Sequence, residues 1–120
     1  MGARLIKISS VYFVIGVLLG MYMSMTENPL FSPVHAHVNL LGWASLALAG
    51  LVYAAFPAAA ETTLAKLHFW LHNIGLPVMM ISLVFFLTGS RWATPIIAIG
   101  GVLTVLGVIL FAINIFRNVK

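Results

Sequence analysis

Charge is almost missing from this chain. Of 120 residues only 7% are charged, and only 2 of those are acidic. A soluble domain carries about 25% charged residues and is about 45–50% apolar, whereas this chain is 62% hydrophobic. A water-soluble globule of this size could not clothe its surface with so few charges, and a disordered chain would not be so apolar. Cysteine is absent, which excludes a disulfide scaffold. The 6 Lys and Arg residues form no cluster, so the net charge of +4 does not point to nucleic acid. There is no internal repeat and no low-complexity tract. What is left is a small integral membrane protein, with the lipid bilayer as its first partner.

A helix needs about 20 mostly apolar residues to cross a bilayer. Four such runs are predicted, over about residues 5–25, 34–56, 64–87 and 95–116. Turn chemistry separates them: Thr26-Glu27-Asn28-Pro29 and Ser32-Pro33, then Pro57 to Thr63, then Gly89-Ser90-Arg91 and Pro95. The first run is too long for a signal-peptide core, and no small-residue cleavage site follows Met25, so it reads as a retained helix. Short linkers predict that consecutive helices lie side by side and antiparallel. The expected fold is therefore all-α, an up-down antiparallel four-helix membrane bundle in one domain, residues 1–120. If Arg4 and Lys7 are cytoplasmic, Lys66, Arg117 and Lys120 fall on the same side and only Arg91 falls outside. The positive-inside rule thus predicts both termini on the cytoplasmic side of the inner membrane. Tyr22 and Trp92 then fit an outer aromatic belt, and Tyr53 and Trp70 an inner one.

Polar groups in lipid are expensive, so each one asks for a reason. His35 and His37 open the second span. Two positions are roughly 200° around a helix, so they point to nearly opposite sides and suit two centres better than one chelate; the plainer reading is two interfacial histidines at a helix start. His68 and His72 are four apart and share a face, a spacing that can hold one metal ion. Their place beside Lys66 and Trp70 equally suits ordinary interfacial residues. Counting along the spans puts His37 and His72 roughly 15 Å apart in depth. Met21, Met23 and Met25 end the first span near His35 and His37, and thioether with imidazole is a Cu(I) environment. The plainer reading of these methionines is lipid-facing or gap-filling side chains. Arg91 is either an arginine snorkelling at the outer headgroups or a partner for carboxylates there. Gly16 with Gly20, and Ser45 with Ala49, are spaced for close helix approach. Pro77 with Gly75 predicts a bend in the third span.

One string is more specific. His35-Ala36-His37-Val38-Asn39-Leu40-Leu41-Gly42-Trp43 opens the second span, which runs on to Tyr53 and Pro57, and Leu67-His68-Phe69-Trp70-Leu71 opens the third. Over about residues 33–80 this resembles the catalytic subunit of haem-copper oxidases, nearest the cbb-type oxidase and nitric oxide reductase branch. The resemblance implies that His35 ligates a high-spin haem iron and His37 a low-spin one, with Asn39 and Arg91 counted among the cofactor-binding residues and Arg91 meeting haem propionates. It implies no ligand role for His68. The family's second low-spin haem ligand, its copper histidines and its redox tyrosine lie on helices with no counterpart here. Neither Glu27 nor Glu61 lies within a span to serve a proton channel. Complete oxygen or nitric oxide reduction is therefore not expected of this chain alone.

Three functions follow. The first is a haem b protein built as a homo-oligomer, with His37 of one chain meeting His35 of a neighbour. A ring of three would satisfy every ligand, whereas a dimer would leave some unpaired. Its role would be electron transfer to a redox partner or respiratory complex, or gas binding. The second is an outer-face copper-handling protein using the methionine run with His35 and His37. The third is an accessory subunit that binds no cofactor.

Overall fold

The computed structural model describes all 120 residues, and its only regular structure is helix, with no strand. Four helices are long and apolar enough to cross a membrane. Helix α1 is Gly2–Thr26 and α2 is Ser32–Ala55. A short turn of helix, α3, spans Pro57–Ala60, and α4 spans Thr63–Leu87. A 3₁₀ turn at Arg91–Ala93 leads into α5, Thr94–Asn118. The spans read from hydropathy agree with these bounds to within three residues, because lipid demands the same apolar run that defines the helix.

The breaks have local causes. Glu27 adopts a left-handed conformation, φ 51°, and its N–H bonds Ser24, so α1 ends there. Pro33 lies in the first turn of α2, where no amide donor is missed. Thr62 caps α4, its hydroxyl accepting from the Ala65 amide at 3.1 Å. Gly89 at φ 109° makes the turn before Arg91, a conformation that only glycine takes without strain. Helix α4 continues through Pro77.

Helix α2 is not uniform. Between Val38 and Ala44 it widens into π-helical turns with i to i+5 hydrogen bonding. The Ser45 hydroxyl follows the same pattern and donates to the Leu40 carbonyl at 2.6 Å. Such wide turns are rare and concentrate at functional sites.

The helices associate as two close pairs. Helix α1 lies on α2, with Gly2 against the backbone of Gly50 and Ala54, and Gly42 against the Tyr12 ring. Phe13 stacks on Trp43 with centroids 4.4 Å apart. Helix α4 lies on α5, with Gly75 against Thr104 and Gly100, and Gly107 against His72 and Leu71. Without a hydrophobic drive between helices in lipid, small residues that admit close van der Waals contact hold such pairs. The two pairs meet through a buried cluster of Leu5, Leu46, Ala49, Tyr53, Ala65 and Phe69, and a smaller one of Val34, Val38, Leu76 and Met80. The shortest dimension of the molecule, 18 Å, is about two helix diameters. Most large apolar side chains of α1 and α5 remain on the outside, among them Val14, Leu18, Val105 and Ile109.

Candidate functional site

His35 and His37 leave α2 on opposite flanks, as their spacing requires. His35 is half-buried and faces α1, where its Cε1 would lie 2.9 Å from a Cβ at Gly20. The next residue of that glycine pair, Gly16, makes room for Asn39. The Gly-x-x-x-Gly of α1 is thus a seat for two polar side chains of α2. Asn39 donates to the His35 carbonyl at 3.0 Å, and its amide nitrogen lies 3.3 and 3.4 Å from the His35 ring nitrogens. Asn39 therefore positions His35 and α1 rather than facing open space.

His37 is in a different state. It is exposed, and its Nδ1–H donates to the Pro33 carbonyl at 2.7 Å. That bond fixes the tautomer and leaves Nε2 with a free lone pair. The ring borders a groove of about 320 Å³ walled by Leu41 and by Met79, Thr104, Val105 and Val108 of the other helix pair.

The three methionines do not converge. Met21 and Met25 are 57% and 78% exposed on the outer flank of α1. Only Met23 turns toward His35, sharing with it and Glu27 a groove of about 470 Å³. Alternate residues on a helix splay, so a three-methionine site would require α1 to unwind there. Arg91 is exposed and lies with Phe86, Gly89 and Thr94 in a separate hollow. It shares no groove with His35 or His37.

The largest departure from sequence expectation concerns His68 and His72. An interfacial place beside Lys66 and Trp70 would leave them partly exposed, yet they are 2% and 1% exposed. Tyr53, expected in the inner aromatic belt, is also buried, at 2%. The three join one chain of hydrogen bonds. His72 Nε2 lies 2.9 Å from the Leu41 carbonyl, which only accepts, so Nε2 carries the proton. In the neutral ring Nδ1 of His72 then accepts, and His68 Nε2–H donates to it at 3.3 Å. His68 Nδ1 is left as an acceptor and takes the Tyr53 hydroxyl proton at 2.9 Å. One backbone carbonyl thus sets the direction of the whole chain.

His72 reaches the Leu41 carbonyl, four residues on from His37 along α2. Even so, no group of three or more His, Asp and Glu side chains comes together to hold a metal ion within one chain.

Asn114 is a polar residue that the motifs of the sequence do not point to. It is fully buried, donates to the Ala59 carbonyl at 2.9 Å and accepts from Asn118 at 2.7 Å. An asparagine inside an apolar span is itself the signal that could have found it. A further cleft of about 640 Å³ lies between α1, α2 and α4, lined mainly by aliphatic side chains such as Ile8, Val34 and Ile81, with Asn73 its one amide.

No family model, no curated protein and no solved structure matches this chain.

Proposed function

We propose that this chain is a membrane haem b protein in which His37 supplies an axial ligand and another copy of the chain completes the iron site. The state of the His37 ring carries the reading. Its Nδ1 proton is held by the Pro33 carbonyl, and its Nε2 is free on an exposed face. Metal-ligating histidines are oriented in this way by a carbonyl or carboxylate on the other nitrogen. The apolar wall beside it, including Val105, Val108 and Ile109, suits the hydrocarbon body of a porphyrin.

The residues present fit one iron ligand per chain better than two. Both His35 nitrogens face the Asn39 amide, and its ring is closed against α1. The second axial ligand then comes from His37 of a neighbouring chain across a two-fold dimer, since one ligand per chain would leave a trimer with one unpaired. A bound haem would supply one-electron chemistry, or a site for a small gas if one axial position stays open. The reading draws on the resemblance of residues 33–80 to the haem-copper oxidase subunit. It includes an antiparallel up-down bundle in the cytoplasmic membrane, with both termini inside as the cation distribution favours. A redox partner or respiratory complex would exchange the electron. Arg91 would reach propionates only across the subunit boundary, since it shares no hollow with His37.

An absorption spectrum tests this directly. Protein expressed with ample haem should carry a Soret band, which His37→Ala should abolish. A bandless wild-type protein, or unchanged haem content in His37→Ala, would refute the reading.

One observation favours copper as a second reading: Met23, His35 and Glu27 share a groove. Copper bound under reducing conditions and lost in Met23→Leu, without haem, would select it.

A further inference from the structure

We propose that Tyr53, His68 and His72 form a buried proton relay through the bundle, ending beside the His37 groove. The relay stands on its own geometry and needs no iron at His37.

Three observations carry it. The hydrogen bonds all run one way, from the Tyr53 hydroxyl to His68, from His68 to His72, and from His72 to the Leu41 carbonyl. Every link is between groups that can both give and accept a proton, apart from the last carbonyl. Secondly, the chain crosses between helix pairs, joining α2 to α4 at two levels, at Tyr53 and at Leu41. Burying two imidazoles and a phenol costs free energy that apolar side chains of the same size would not, and interhelical hydrogen bonds in membranes return only about 0.6 kcal/mol each on average. Stability alone is a poor reason for this trio. Thirdly, both ends lead toward less buried ground. Leu41 is half-buried, sits in the π-helical stretch and borders the same groove as His37. Beyond Tyr53, which packs with Ala59 and Ala60, the amides of Asn114 and half-buried Asn118 continue toward the last turn of α5.

The transfer balances as follows. A hydronium ion at the Tyr53 end places a proton on the phenol oxygen while the phenol's own proton moves to His68 Nδ1. The His68 Nε2–H bond breaks and its proton moves to His72 Nδ1. The His72 Nε2–H bond breaks and its proton passes to water at the Leu41 carbonyl. Tyrosine and both imidazoles end neutral, with each imidazole in its other tautomer. A turn of both rings that exchanges the places of their two nitrogens readies the chain for the next proton, whereas the reverse transfer would carry the first one back. No metal is needed, and no third His, Asp or Glu joins the pair to hold one.

The test is proton flux through the full chain in phosphatidylcholine–phosphatidylglycerol vesicles. A pH dye is trapped inside, and a potassium gradient with valinomycin sets the driving force. Wild-type vesicles should acidify faster than protein-free ones and more slowly in D₂O. Tyr53→Phe and His72→Gln should each lower the protein-dependent rate at least about tenfold, equivalent to about 1.4 kcal/mol in barrier. Circular dichroism of the same vesicles shows whether the helices are retained. Wild-type flux equal to protein-free vesicles would overturn the relay, whatever the variants do. Helical variants that keep the wild-type rate would overturn it too. Flux is read on protein expressed without added haem, and haem content is read from the Soret band of a separate haem-supplied preparation, so failure of the relay and failure of the haem reading are separate results.

Discussion

Replacing Gly100 by alanine should unseat α5 from α4. A Cβ there would lie 2.5 Å from the Met79 amide nitrogen, 2.8 Å from its Cα and 2.9 Å from the Gly75 carbonyl oxygen. All three are backbone atoms, so no side chain can swing aside. Reaching ordinary contact, about 3.5 Å or more, requires the helices to part by about 1 Å. Overpacking of this kind costs about 1–3 kcal/mol. Alanine regains about 0.5–1 kcal/mol over glycine within a helix. The net expectation is a loss of up to about 2.5 kcal/mol. Gly101 is the matched control, because a Cβ there meets only the Met79 sulfur at 3.5 Å. Gly101→Ala should therefore be neutral or stabilising by up to about 1 kcal/mol. Unfolding of both variants by SDS in mixed micelles, followed by far-ultraviolet circular dichroism and tryptophan fluorescence, measures the difference. A gap of about 2 kcal/mol between them is roughly 30-fold in the unfolding equilibrium. Gly100→Ala as stable as the wild type, or Gly101→Ala as damaged as Gly100→Ala, would refute the packing described for α4 and α5.

Other substitutions bear on the polar groups. Tyr53→Phe leaves His68 Nδ1 without its donor inside the bundle, and should lower SDS-unfolding stability by about 1 kcal/mol while keeping the fold. His37→Ala removes an exposed side chain with one local hydrogen bond, so stability without haem should stay within about 0.5 kcal/mol of the wild type in the same titration. Thr62→Ala deletes the cap of α4 and should cost about 1 kcal/mol, with faster amide exchange confined to the first turn of that helix.

The sequence reads well where lipid imposes the rule. The four spans, the breaks at Asn28-Pro29, Pro57 and Gly89, and the splaying of His35 from His37 are all local properties of composition and helical pitch. Gly16 and Gly20 were legible as points of close approach, but not as the seats of Asn39 and His35. What faces a glycine is chosen by another helix. The Gly100, Thr104 and Gly107 stripe of α5 is not legible in the sequence, because small residues are common in membrane spans and nothing in sequence marks which of them meet a neighbour. Position along a span suggested that His68, His72 and Tyr53 belong near the headgroups. That reasoning uses depth alone. Whether a residue at a given depth faces lipid or the interior depends on the rotation of its helix about its own axis.

By itself, then, the sequence determined that the chain is helical and apolar, where each long helix begins and ends, and which few polar residues had to be explained. The reason is that a bilayer satisfies no backbone groups, so every span must close its hydrogen bonds within itself. Only the tertiary structure decided which polar groups meet. Contact between Tyr53 and His68 depends on how α2 and α4 are rotated. The contact of His72 with Leu41 depends also on π-helical turns, which locally change the rotation per residue on which any reading of helix faces relies. The same packing leaves the His37 Nε2 free while tying down His35, a distinction that two histidines in one short motif do not show.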